Sequence, residues 1–225
     1  MKIASLKPTQ WFPGQNVSVK PHLRGWIHLV AAPLSLAASI VLTCLAPTGA
    51  TKGGSAIYLA ASLILFGISA LYHRFYWSPR WEVVWNRLDH SNIFLLIAGT
   101  YPPLSIAILP HDQAVTILSI VWGGALLGIL LNLFWPTAPR WLATLIYVAL
   151  GWVALWYLPQ FWSLGGAVIV WLLLAGGILY TIGAVVYATK KPDLSPRWFG
   201  FHEIFHLCTV LAWACHCVAV YLAVL

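Results

Sequence analysis

The sequence predicts an all-α integral membrane protein, a bundle of seven transmembrane helices with the N-terminus in the cytoplasm and the C-terminus outside. Three observations lead there. Of 225 residues, 61% are hydrophobic and 8% are charged, whereas a water-facing domain carries roughly 25% charged residues to solvate its surface. Seven mostly apolar runs follow one another, each about the 20 residues needed to cross a hydrocarbon core. The basic residues gather on one side of those runs.

Residues 1–24 read as a cytoplasmic N-terminal segment. They are mixed polar, carry Pro8, Pro13 and Pro21, and lack the short apolar core and small-residue cleavage site of a signal peptide. The Asn16-Val17-Ser18 sequon carries little weight on that side. Residues 25–225 read as the transmembrane domain, with spans over 25–46, 54–73, 86–109, 114–134, 141–158, 161–188 and 199–225. Proline- and glycine-bearing breaks separate them at 47–54, 78–79, 110–113, 136–139, 159–160 and 190–196. Within the third span, Pro102 and Pro103 remove backbone donors and are expected to kink or break the helix. Thr100 and Ser105 are expected to help satisfy the freed carbonyls. Fourteen tryptophans suit the membrane–water interface.

Orientation follows from charge. With seven spans, the N-terminal segment and the second, fourth and sixth loops share a side. They hold Lys2, Lys7, Lys20, Arg24, Arg74, Arg80, Arg87, Arg140, Lys190, Lys191 and Arg197, against Lys52 alone on the other. Cytoplasmic loops are the ones enriched in Lys and Arg. The net charge of +7 is thus a topology signal rather than a nucleic-acid footprint. Cys44, Cys208, Cys215 and Cys217 sit in apolar runs without a CxxC pair and read as small buried residues, not as a disulfide framework or thiolate metal site.

Ionisable groups at membrane depth are functional candidates by default. His73 ends the second span, Asp89 begins the third, and His202 and His206 begin the seventh, all toward the cytoplasmic end. His202 and His206 are four residues apart and so share a helical face. Two imidazoles held this way can face one metal, and His73 can complete a three-histidine set. Such a set suits zinc, leaving a fourth position for water whose pKa can fall to about 7. Ser69 lies one turn before His73, and Asp89 can orient or deprotonate the water.

Simpler readings stand beside this one. His28 and His216 are expected to be interhelical hydrogen-bond partners, with His216 about 15 Å deeper than His206 along the helix. His90, adjacent to Asp89, is expected to point elsewhere. Ser69 can also be a small residue easing helix packing. Residues 202–206 read HEIFH, which satisfies the HExxH signature of zinc proteases. Glu203 can instead stabilise the start of the last helix, where a carboxylate favours the dipole.

Four segments carry a family resemblance: 20–33 (KPHLRGWIHLVAAP), 69–74 (SALYHR), 87–102 (RLDHSNIFLLIAGTYP) and 201–217 (FHEIFHLCTVLAWACHC). In that order they resemble the hemolysin III family, the bacterial branch of the progestin and adiponectin receptor superfamily. The resemblance implies seven helices, a cytoplasmic N-terminus, and a zinc ion held by one histidine of the second helix and an HxxxH pair of the seventh. Those positions here are His73, His202 and His206, and the family's serine and aspartate near the metal match Ser69 and Asp89. Eukaryotic relatives are receptors, some linked to hydrolysis of ceramide-type amides. The bacterial branch is associated with a hemolytic effect and with membrane fluidity and energetics.

The expected function is therefore a zinc-dependent hydrolase of lipid amide or ester bonds in the cell membrane, with lipids as partners and substrate and no nucleic acid. The alternative is a non-enzymatic membrane-homeostasis or cytolytic protein with a structural zinc. An intramembrane protease or a proton-coupled transporter using Glu203, Asp89 and His216 follow.

Overall fold

The computed structural model describes residues 20–135, 139–195 and 197–225. The sequon at Asn16, Lys2, Lys7, most of the expected 1–24 segment, Pro136 and Pro196 lie outside the described residues. Seven helices long and apolar enough to cross a membrane follow one another: α1 (Trp26–Leu45), α2 (Gly49–Arg74), α3 (Pro79–Ile108), α4 (His111–Phe134), α5 (Arg140–Gly151, continued by irregular turns), α6 (Ala167–Thr189) and α7 (Phe201–Val224). Among the described residues no strand forms; one isolated antiparallel bridge joins Ser195 and Phe199.

Helix faces follow from spacing. In α1 the buried residues are His28, Ala31, Ser35, Ser39 and Leu42, steps of three and four that make one stripe. Val30 and Leu34 face outward, Leu34 at 62% exposure. An exposed leucine stripe suits lipid, which solvates apolar side chains as well as a protein interior does.

Several boundaries differ from the sequence expectation. Helix α2 starts at Gly49 rather than 54, because Thr48 and Thr51 form a capping box with both hydrogen bonds at 3.1 Å. Helix α3 starts at Pro79 rather than 86. Proline is well placed at a first helical position, where its missing N–H is not needed, and Glu82 lies in the same turn.

The double proline does not break α3, which runs unbroken to Ile108. Proline's φ is itself helical, and neighbouring helices hold such a segment in place. Gly54 of α2 lies directly on Pro102 and Pro103; a Cβ there would stand 3.0 Å from the Pro103 nitrogen. The expected hydroxyl partners do not act as expected. Thr100 Oγ1 donates to Leu96 O at 2.8 Å, a carbonyl the prolines do not free, and Ser105 Oγ is buried without a partner.

The fifth span is longer than 141–158. After Gly151 the chain passes through a 3₁₀ stretch (Trp152–Tyr157), one α-turn (Leu158–Gln160) and a π-turn (Phe161–Gly165). Pro159 falls in the first turn of that α segment, so it does not end the span. The chain turns at Gly166, φ 90°. Tyr101 secures the change of ladder: its hydroxyl donates toward Leu150 O (3.0 Å) and Gly151 O (2.8 Å) and accepts from the Ala154 N–H (3.3 Å).

Sequential neighbours pack together, and α7 also meets α1 and α3. Helix α3 is the most enclosed span. The ends of α2 and α7, with the middle of α3 beside them, hold the ionisable groups.

Candidate metal centre

His73 is the next-to-last residue of α2, and His202 and His206 occupy the first two turns of α7. Their three ligand atoms all lie within 4.8 Å of one another. His202 Nε2 and His73 Nε2 are 3.1 Å apart. Ring centroids stand 4.5 Å apart for His202–His206 and 5.0 Å for His73–His206. His73 and His206 are buried and His202 is half-buried.

This donor set fits a metal. Two nitrogens bound to one tetrahedral zinc at about 2.05 Å stand ~3.3 Å apart. The closest nitrogen pair is near that value, and the third donor closes the triangle. Three imidazoles that bring one ring nitrogen each to a common point offer a ready donor set, and imidazole suits zinc.

Asp89 sits about three turns into α3, deeper in its helix than expected because α3 starts earlier. Its Oδ2 is 3.5 Å from His73 Nε2. Ser69, one turn before His73, is buried and approaches the Asp89 carboxylate. Ser69, Asp89, His28 and His206 line one end of a cavity of about 120 Å³. Most of the remaining wall is apolar, with Leu96, Ile97, Leu104 and Phe161 among it, but Thr100, Thr181, Thr209, Tyr180 and His216 also line it. A polar corner at the end of an apolar cavity is the usual form of a small-molecule site.

The other expectations divide. His216 Nε2 meets Leu173 O of α6 at 3.3 Å, an interhelical hydrogen bond as expected. His28 has no such bond: both ring nitrogens are buried without a partner at bonding geometry. Its ring instead stacks on His206, centroids 3.8 Å apart and planes 10° apart. His90 turns to α6, where Nε2 meets the Tyr187 hydroxyl at 2.7 Å.

Glu203 is almost fully buried, and neither oxygen is free. One pairs with Arg24 Nε, and the other accepts the Gly200 N–H at 2.8 Å. The helix-capping role read from the sequence is present. A protease-type general base requires a free carboxylate facing the metal, and this one is already engaged. Its partner Arg24 lies 179 residues away, and no local spacing signals such a pair. Sequence reasoning also missed the anchoring of Lys20, whose Nζ donates to Tyr72 O (3.1 Å) and Phe75 O (2.7 Å). Burial pushes the Lys20 ammonium down to about 8; Glu82 opposes that shift, and Arg24 and Arg74 add to it.

Comparison with known proteins places these residues in context. Residues 17–217 match the family described as Haemolysin-III related. The chain is 34% identical over 188 residues to Hemolysin-3 of Bacillus cereus, covering 80% of each chain. It is 35% identical over 147 residues to a Hemolysin-3 homolog of Bacillus subtilis (strain 168), covering 64% of this chain and 68% of the relative. Ser69, His73, Asp89, His202, Glu203 and His206 all fall within the family-matched range 17–217.

Proposed function

The chain belongs to the haemolysin III family and is a multi-pass protein of the cell membrane; from that premise we propose that it is a zinc-dependent hydrolase of lipid amide or ester bonds, working within the bilayer. The observation that carries this reading is the convergence of His73, His202 and His206 with Asp89 beside them, next to a cavity that His206, Asp89 and Ser69 help to line.

In this reading His73, His202 and His206 hold the zinc, which when bound polarises a carbonyl and acidifies water. Asp89 is the proton acceptor, near enough to His73 to stand beside the metal without being one of the three ligands. Ser69 orients the water and the carboxylate from one turn below His73. The cavity walls receive an acyl chain and keep bulk water from it. The basic residues support a cytoplasmic N-terminus and site, with the C-terminus outside. Lys20 and Arg24 lie at the same end as Arg74, and His22 N–H bonds Arg197 O at 2.9 Å.

The test is zinc content and turnover of the purified chain across a panel of lipid amides and esters, with Asp89→Asn alongside. The reading expects Asp89→Asn to keep its zinc and lose about 10²–10⁴-fold in rate, the usual contribution of a positioned base. Wild-type protein that holds zinc but turns over no lipid sinks the hydrolase and leaves the second reading.

That second reading is a structural zinc in a membrane-homeostasis or cytolytic protein. It draws support from how α2 and α7 meet: through side chains, with Trp213 Nε1–H donating to Ser62 Oγ at 2.9 Å, Tyr58 stacked on Trp213, and the three histidines at the end.

A further inference from the structure

We propose that Arg24 is a positioning residue of the metal centre: through Glu203 it holds the first turn of α7, with His202 and His206, against the end of α2 that carries His73. The proposal rests on the metal-binding reading of the three histidines but on no particular reaction.

Glu203 sits between the two α7 ligands in sequence, and its carboxylate is 1% exposed. A buried carboxylate is tolerated only when its charge is paired and its oxygens are hydrogen-bonded. Gly200 N–H binds one oxygen, tying the side chain back onto its own first turn. Arg24 binds the other. Among the described residues this is the one pairing of an arginine or lysine with a carboxylate.

Arg24 is itself fixed to the His73 side. Its carbonyl accepts from Arg74 Nη1 at 3.4 Å, and the Arg74 guanidinium lies 4.4 Å over the Trp26 ring. The next residue, Gly25, has φ 80° and passes so close to α2 that a Cβ would stand 2.9 Å from His73 Cβ. The segment around Arg24 is stitched on both flanks. Lys20 binds the carbonyls of Tyr72 and Phe75 at the end of α2, while His22 and Leu23 N–H groups bind Arg197 O (2.9 Å) and Trp198 O (3.3 Å) before α7.

The geometry therefore gives Arg24 a task that stability alone does not require. Helices α2 and α7 present their ligands from separate chain ends, and the relative placement of those ends sets the nitrogen–nitrogen distances. Partners that orient metal ligands commonly change metal affinity 10–100-fold when removed.

The experiment uses the full chain in detergent micelles. Zinc affinity is measured against a competing chelator for wild type, R24K, R24Q, E203Q and the R24Q/E203Q double variant. Thermal midpoints of the metal-free and zinc-loaded forms are taken alongside. R24Q and E203Q are expected to bind zinc about 10–100-fold more weakly with all three histidines intact, and to show a smaller zinc-induced rise in midpoint. R24K, which keeps the cation, is expected to lose less. The double variant removes the unpaired buried charge, so it is expected to recover metal-free stability without recovering affinity. If R24Q does not fold, R24K and the double variant carry the measurement. Folded variants that bind zinc with wild-type affinity, whatever their midpoints, overturn the proposal and leave the metal reading standing. A wild-type chain that binds no metal overturns both.

Discussion

His28 stacks on His206 with ring centroids 3.8 Å apart and planes 10° apart, and Phe66 meets the His28 ring edge-on at 5.1 Å. A phenyl ring would fill the same slot, yet histidine here brings two nitrogens that find no partner among the described residues at bonding geometry. Unpaired buried polar atoms cost stability. The stack limits how the His206 ring can turn, which matters for a ligand.

His28→Phe is therefore expected to fold with unchanged or higher stability, a gain of about 1 kcal/mol from removing unpaired polar atoms, and to keep its zinc. His28→Ala opens a void beside His206 and is expected to cost about 2 kcal/mol, within the range for large-to-small core changes. Thermal midpoints and zinc content of both variants check this. A marked loss of zinc in His28→Phe would show that the nitrogens, not the ring face, matter.

Removing a ligand should be visible without any assay of activity. With free zinc at about 100 times its Kd, wild type is expected to gain about 2.7 kcal/mol of stability by mass action. His73→Ala, His202→Ala and His206→Ala are expected to gain none, and to fall from about one bound zinc to almost none, since two imidazoles do not make a closed site. Metal analysis and melting with and without chelator decide it. Equal zinc-induced shifts in wild type and His206→Ala would place the metal elsewhere.

These residues also show what sequence could and could not deliver. The seven spans were legible because hydrocarbon demands long apolar runs and nothing else in the chain supplies them. The triad was legible because an i, i+4 pair fixes two imidazoles on one face, and because alternating spans carry His73 to the same end. Boundaries were less so: Pro79 and Pro159 mark the starts of helical turns rather than gaps. The Pro102-Pro103 pair is absorbed by close packing on Gly54, which depends on a neighbouring helix. The Arg24–Glu203 pair was invisible because it joins residues far apart in the chain through tertiary placement alone.

Lys20 gives a pH signature outside the membrane spans. Burial, its largest cause, holds the folded pKa at about 8, below the ordinary lysine value of 10.5. Between those values the unfolded chain binds more protons than the folded one, so stability rises with pH there. The penalty of burying the ammonium is fully present below pH 8 and is relieved as pH climbs toward 10.5. Wild type is thus expected to gain stability relative to Lys20→Met across that window, with a flat difference below about pH 7. Paired melting curves from about pH 6 to about pH 10 test it, and a wild type that loses stability relative to Lys20→Met as pH rises contradicts it.

Gly25 offers a last test of how tightly the segment before α1 is pressed on the metal site. At φ 80° a residue with a Cβ pays a left-handed backbone penalty of about 1–2 kcal/mol. Here the added carbon would also meet His73 Cβ at 2.9 Å and Arg74 Cγ at 3.2 Å. Arg74 can swing away, but His73 is buried and cannot move without shifting its ring nitrogens. Gly25→Ala is therefore expected to lower the melting midpoint and to weaken zinc binding together. Gly49→Ala is the matched control: a Cβ there would meet no atom within 4 Å, its backbone is ordinary helix, and alanine is expected to be neutral or stabilising by up to about 1 kcal/mol. If Gly25→Ala loses stability but binds zinc like wild type, the backbone penalty is local, and the close approach to His73 has no bearing on the site.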